Sequence, residues 1–375
     1  MDKKNKNPNV PNLRFTNNQL KDFKIVDICK LKQGNQYDLK QQFTEEKPDL
    51  KRFIRIVDYT QKTNDIRYVY SNGSENYVDC TDVVVVRYGA SAGYVGRGIN
   101  GIIANNLFTI RPINSALLNK SYLYHYLNAP VIQKQLNNTQ SSGMPALNFQ
   151  TINNLHILLP EYQEQRQIAV FLDKIDERIQ TQIKIIDDYN SLKMGIYNCM
   201  FKENYADYKL KQLAYIVKGD QINNDQLLSN GSYYMMNGGT SPSGYLDSYN
   251  VSENTISISE GGNSCGYVQF NSSPFWSGGH CYTIQNVNSA LIENKYLYHY
   301  LKYKEKEMMN LRIGTGLPNI QKKDLENFTI LVPSLLIQRK NLALFEMLDE
   351  KISILTEELT NLQKQKKYLL CNMFI

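Results

Sequence analysis

The feature that most constrains this chain is that it is written twice. Pro160 and Pro333 each follow an aliphatic residue and open two long charged-apolar segments 173 residues apart. At that offset Gln165 meets Gln338, Arg166 meets Arg339, Asp176 meets Asp349 and Ile179 meets Ile352. The segments also end in step, Met200-Phe201 against Met373-Phe374. Upstream, Val83 and Val85 meet Ile256 and Ile258, Gly89 meets Gly262, and Gly93-Tyr94-Val95 meets Gly266-Tyr267-Val268. Gly143-x-Pro145 meets Gly316-x-Pro318, and the hexapeptide YLYHYL at residues 122–127 returns at 296–301 after one residue of slippage. A repeat of ~170 residues is too long for a solenoid and has the size of a domain plus a connector.

Each copy divides into two parts. The first part is rich in Gly, Asn, Ser and Tyr, with short β-type runs entering glycine-rich turns and a Tyr/Leu/His stretch of helical character. It is α+β. The second part reads as one long helix, with proline at its N-terminus and none after it. The expected organisation is a tail over 1–19, an α+β domain over 20–159, a long helix over 160–201, a second α+β domain over 202–332 and a long helix over 333–375. Three-four spacing sets Leu172, Ile175, Ile179 and Ile186 on one helix, and Phe345, Leu348, Ile352, Leu355, Leu359 and Leu362 on the other, as apolar seams. Lys193 and Lys366 occupy the same seam position in the two copies. Leu172, Ile175, Ile179 and Ile186 are expected to face Phe345, Leu348, Ile352, Leu355 and Leu359, and packing on the globular parts is the alternative.

The chemistry of catalysis is hard to find. There is no phosphate-loop motif and no Asn-Pro-Pro-aromatic methyltransferase motif. Gly96-x-Gly98-x-x-Gly101 is followed by strand-like residues, not by the helix that would present its N-terminus to a pyrophosphate. His125 and His299 recur in register inside the Tyr/Leu stripe, where a core or cap role competes with that of a ligand. Cys265, His280 and Cys281 lack a fourth ligand at zinc spacing, and the Glu45-x-Lys47 and Glu293-x-Lys295 pairs are weak nuclease signatures. With 42% hydrophobic residues the chain can bury real cores. No apolar run approaches the ~18 residues of a membrane span. Six scattered cysteines and a polar start read as reduced thiols in the cytoplasm. A duplicated chain without a reactive constellation is expected to bind and position.

The helix opening at residues 161–179, EYQEQRQIAVFLDKIDERI, resembles the E-Q-x-x-I-A-x-x-L-D-x-x-D-x-x-I signature of specificity (S) subunits of type I restriction-modification enzymes. Glu164-Gln165, Ile168-Ala169, Leu172-Asp173, Asp176 and Ile179 carry it. The second copy is degraded, with Ile337 at the position of Glu164. Val10-Pro11-Asn12-Leu13-Arg14-Phe15 also looks like the family's P-x-L-R-F entry. The resemblance implies two pseudo-symmetric target recognition domains, each reading one half of a bipartite DNA site, joined by two long helices in an antiparallel coiled coil. It implies a non-catalytic chain with no cofactor of its own. Its partners would be double-stranded DNA, two methyltransferase (M) subunits carrying S-adenosylmethionine, and restriction (R) subunits using ATP and Mg²⁺. The rival readings are a stand-alone DNA-binding or coiled-coil assembly protein, and an enzyme with an unrecognised site.

Charge and residue type then nominate contacts. Residues 20–158 hold 16 Lys and Arg against 11 Asp and Glu, whereas 208–330 hold ten of each, so phosphate attraction is expected to favour the first domain. Lys51, Arg52, Arg55, Arg67, Lys322 and Lys323 are candidates for the DNA backbone. Ser91, Tyr94, Arg97 and Asn148, then Asn263, Ser264, Tyr267, Gln269 and Asn319, are candidates for base edges beside glycine-rich turns, Arg97 also for the backbone. In the family the helices contact the M subunits, so Gln165, Arg166, Asp176, Arg178, Gln338, Arg339, Asp349 and Lys351 are expected on an outward partner surface.

Overall fold

A computed structural model describes residues 11–16, 18–61, 63–137, 145–201, 205–314, 316 and 318–374. Val10 and Gly143, each part of a motif named above, lie outside the described residues. The chain forms two compact units, residues 1–183 with 357–375, and residues 184–356. Both boundaries fall inside the long helices Tyr162–Met200 and Leu335–Met373, so each unit contains half of each helix.

In the first unit a four-stranded antiparallel sheet runs Cys29–Gln33, Leu107–Pro112, Val83–Val86, Val95–Gly96. Val83–Val86 is buried at all four residues because both faces of the strand are covered. Val83 and Val85 point into the core with Leu123 and Tyr126, while Val84 and Val86 meet Ile54, Val78 and Ile103. The second face is covered by a mixed sheet in the order Arg67–Tyr70, Leu50–Ile54, Gly101–Ile103, Tyr77–Val78. Lys21–Lys24 pairs with His156–Leu159 and closes the unit's two ends on each other.

The second unit repeats the main sheet in the same order: Tyr215–Lys218, Cys281–Gln285, Thr255–Ser259, Val268–Asn271. Ile256 and Ile258 occupy the core positions of Val83 and Val85. The other face differs. Buried Ser257 and Ser259 replace Val84 and Val86 and bond to Asn271 and the Gly238 carbonyl, and the accompanying sheet has three strands instead of four.

Two repeated motifs prove to be partners. YLYHYL forms the helix Lys120–Leu127 in the first unit and lies within Asn294–Tyr303 in the second. In the first unit its Tyr122 and Tyr126 rings meet Phe374, with centroids 5.3 and 6.2 Å apart. In the second, Tyr296 and Tyr300 meet Phe201 at 5.5 and 5.1 Å. Each α+β domain core is therefore finished by the end of the long helix belonging to the other copy.

Within both units the helix halves run antiparallel. In the first, Asp176 pairs with Lys366 and Gln182 donates to Glu358 at 3.0 Å. In the second, Lys193 pairs with Asp349 and Tyr197 packs edge-on against Phe345 at 4.8 Å. Rising numbers on one helix meet falling numbers on the other. The antiparallel run is as expected, but the facing of the seams within it differs. Leu172 packs with Leu370, Met373 and Phe374, and Ile175 adjoins the same core together with Leu369. Phe345 instead joins Tyr197 and Phe201. Ile179, Leu348, Leu355 and Leu362 are buried, while Ile186, Ile352 and Leu359 are half-buried. The prolines sit just outside the helices, two residues before their first helical positions, with the Glu161 and Ser334 carbonyls accepting the first helical bonds, from Gln165 and Gln338.

The repeated seam lysines thus meet the repeated aspartates. Asp349→Lys should set two ammonium groups together and cost on the order of 2 kcal/mol, between the exposed and buried limits for ion pairs. Adding Lys193→Asp should recover most of that loss in urea unfolding. Additive losses in the double variant would contradict the pairing.

Candidate nucleic-acid interface

In each unit the glycine-rich turn and the segment after Gly-x-Pro, more than fifty residues away, are brought together by backbone bonds. Gly89 N donates to Pro145 O at 2.9 Å and Leu147 N to Arg87 O at 2.8 Å. In the second unit Gly262 N donates to Pro318 O at 3.0 Å and Ile320 N to Glu260 O at 2.9 Å. The turn closes on its own strand through Gly93 N to Val86 O and Gly266 N to Ser259 O. Glycine is required here: Gly93 has φ +90° and a Cβ would meet Asn137 at 2.8 Å, and Gly266 has φ +88° with Met309 at 3.0 Å.

Around these turns Tyr94, Asn263 and Asn319 are exposed, as are Lys51, Lys322 and Lys323 farther along the surface. Ser91 is half-buried. Asn148 is exposed, and its side chain caps the helix Phe149–Asn153 by accepting from Gln150 N. Ser264 donates to Gly238 O, Gln269 bonds Asn271, and the Tyr267 ring carries Lys302 at 4.1 Å. Arg52 and Arg55 bridge Asp58, and Arg55 and Arg67 converge on Asp65, whose carboxyl the two guanidiniums hold below its usual range.

Arg97 does not present a free guanidinium. Nη2 reaches Asp173 at 2.5 Å, Nη1 donates to Ser121 at 2.6 Å, and the group stacks 3.9 Å over Tyr124. It latches the first domain to the long helix. His125 Nε2 meets the same Asp173 oxygen at 2.7 Å. Burial raises the Asp173 carboxyl, but hydrogen bonds from His125, Arg97 and Ser121 more than offset it and hold the group well below its usual range. A cleft of about 740 Å³ beside this latch is lined by Arg97, Asp176 and Lys366, all engaged in ion pairs.

The partner surface also needs correction. Gln165 and Gln338 are 1% and 0% exposed. Gln165 accepts from Asn119 N and donates to the Leu117 and Pro160 carbonyls, and Gln338 does the same with Glu293 N, Leu291 and Pro333. They are repeated internal staples, which a polar residue at a coil position does not reveal. Asp176 and Asp349 are engaged with seam lysines, and Arg339 pairs with Glu293. Arg166, Arg178 and Lys351 are exposed. Glu164 explains the degraded second motif. It is buried and accepts from Arg14, Phe15 N and Thr16 of the N-terminal segment. Burial raises its carboxyl, and the bonds from Arg14 and Thr16 outweigh that and lower it. Its counterpart Ile337 is 38% exposed.

Sequence reasoning missed a cleft of about 560 Å³ in the second unit, lined by Glu260, Lys218, His280 and Asn319 beside the glycine turn. The repeat register held the signal, because Glu260 aligns with Arg87 immediately before each turn. Among the described residues no group of three or more His, Cys, Asp or Glu is placed to hold a metal, and no helix is long and apolar enough to cross a membrane.

The chain matches the family model "Type I restriction modification DNA specificity domain" twice, over residues 17–187 and 202–364. A Mycoplasma pneumoniae protein, provisionally named a type I specificity subunit, is 33% identical over 155 residues, 41% of each chain. The MjaVIII specificity subunit of Methanocaldococcus jannaschii is 23% identical over 352 residues, covering 81% of this chain and 80% of that one. The crystal structure of a type I S subunit from Mycoplasma genitalium superposes with a TM-score of 0.66 at 20% identity, over 98% of this chain and 99% of the other. The chain thus spans about two fifths of the Mycoplasma pneumoniae protein it matches.

His299 supplies a pH test of the helix packing in the second unit. It is buried against Phe345 and bonded to Tyr197 at 2.8 Å. Burial, with Lys193 and Lys295 nearby, pushes its imidazole down from 6.5 to about 3. The unfolded chain therefore binds a proton that the native chain refuses, so stability is complete above 6.5 and declines as pH falls toward 3. His299→Gln should make the fall in urea midpoint between pH 7 and 5 shallower. Parallel profiles would show that His299 carries none of it.

Proposed function

Since the chain belongs to the type I restriction-modification DNA specificity family, we propose that each of its two domains reads one half of a bipartite DNA site, while the long helices set the spacing and dock methyltransferase subunits. The carrying observation is the duplication itself: two recognition folds, each completed by the other copy's helix, in one chain. Two half-sites at fixed separation need two readers joined by a stiff element, and a continuous helix of 39 residues is ~58 Å of such element.

The 173-residue register lets the helix pair offer related surfaces to two M subunits, with Phe171 and Tyr368 of the first unit replaced by Leu344 and Gly195 in the second. In the first unit a groove of about 680 Å³ on the helix pair is lined by Phe171, Ile175, Leu362, Tyr368 and Leu369. Phe171 and Tyr368 are 39% and 63% exposed, and Lys174, Arg178 and Lys364 border them. Exposed aromatic side chains rimmed by charge suit a protein interface. S-adenosylmethionine would be bound by those partners, with ATP and Mg²⁺ used by R subunits, and base flipping and methyl transfer would take place there. This chain supplies position and orientation.

Purified alone, the chain should neither methylate nor cleave DNA in the presence of Mg²⁺, ATP and S-adenosylmethionine. Mixed with methyltransferase subunits of a matching type I system, it should form a stable complex on size exclusion and direct methylation to one bipartite motif. Phe171→Ala with Tyr368→Ala should weaken that complex by about 2 kcal/mol or more while the variant chain remains folded and unfolds cooperatively. Failure to associate would favour a stand-alone DNA-binding or coiled-coil protein. Turnover by the chain alone, abolished by a point substitution in it, would reveal an enzyme.

A further inference from the structure

The duplication places opposite charges at one structural position. Arg87 follows the strand Val83–Val86 and Glu260 follows Thr255–Ser259, each just before the glycine turn and each accepting through its carbonyl from the segment after Gly-x-Pro. The side-chain neighbours correspond as well. Gln33 and Lys218 end equivalent strands, opposite Phe108 and Tyr282. Arg87 Nη1 donates to Gln33 Oε1 at 2.7 Å, and Lys218 Nζ donates to Glu260 Oε1 at 2.6 Å. One backbone frame therefore carries a cation in the first domain and an anion in the second.

Glu260 is held with one oxygen outside any hydrogen bond among the described residues. Its Oε1 accepts from Lys218 and from the Tyr282 hydroxyl at 3.0 Å. Its Oε2 has no hydrogen-bond partner among the described residues and only a 3.5 Å charge contact with His280 Nδ1, although the residue is only 8% exposed and lines the 560 Å³ cleft. A fixed carboxylate can only accept. On a base edge its complement is an exocyclic amine, as cytosine N4 presents in the major groove. Arg87 lies 4.8 Å over the Tyr88 ring and 4.4 Å over Phe149, which hold its guanidinium flat. Its complement is the O6/N7 acceptor pair of guanine.

We propose that residues 87 and 260 are the corresponding specificity-determining positions of the two domains, with Glu260 reading a cytosine in one half-site and Arg87 a guanine in the other. This rests on the specificity-subunit reading. The test selects binding sites from random duplex DNA with the complex of this chain and its methyltransferase subunits. The wild-type complex should yield two half-sites. Glu260→Gln should lower preference at one C·G pair of one half-site about tenfold or more and leave the other half-site unchanged, and Arg87→Gln should do the converse. Glu260→Asp, which keeps the charge and shortens the reach, should show a smaller loss at the same pair and serves if the glutamine variant does not fold. If wild type selects a bipartite motif and folded variants select the identical motif with identical preference, the assignment fails while the specificity reading stands. If the intact wild-type complex selects no motif, both fail.

Discussion

The pairing of Asp176 with Lys366 and of Lys193 with Asp349 is the interaction on which the arrangement depends. Each pair joins one copy's aspartate to the other copy's lysine. Parallel helices in register would set lysine against lysine and aspartate against aspartate, so charge repulsion disfavours that alignment. With antiparallel helices, Phe374 reaches the aromatic helix of the first domain and Phe201 reaches that of the second. Neither copy completes its own core. That mutual dependence explains why Met-Phe and YLYHYL recur together and why the duplication is retained in a single chain.

The same economy governs the charged groups. Arg97, Asp173 and His125 fasten the first domain to its helix, and Lys295 with Glu346 does so in the second. Gln165 and Gln338 fix the two helix starts to the loops before the aromatic helices. A net charge of +6 therefore overstates the cations free to meet DNA. Those near the glycine turns are fewer and held in defined geometry, which suits discrimination more than general attraction. The two domains also differ where their sheets' second faces differ, valines in one and serines in the other. The shared face preserves the scaffold, and the divergent face is where each domain can acquire its own surface.

Much of this was legible in the sequence because a duplication exposes its own register. The α+β division, the two long helices and the seam residues followed from apolar spacing and matched motifs. The facing of the seams did not, since spacing defines a stripe and not its partner. It is the antiparallel run that sends Leu172 to Leu370 and Phe345 to Tyr197. Gln165 looked like an outward partner-surface residue because a buried glutamine satisfied by three backbone groups leaves no trace in hydrophobic periodicity. Arg97 looked like a DNA reader because its partner, Asp173, lies 76 residues away. Arg87 and Glu260 were visible as an aligned pair of opposite sign, but only the cleft gave that alignment a meaning.

The most direct measurement of the central claim exchanges residues 20–158 for the equivalent segment of a relative and maps the methylated motif of the reconstituted complex. The account predicts that one half-site changes while the other half-site and the spacing persist, because the second domain and both helices are untouched. A change in both half-sites, or in neither, would contradict independent reading by the two copies.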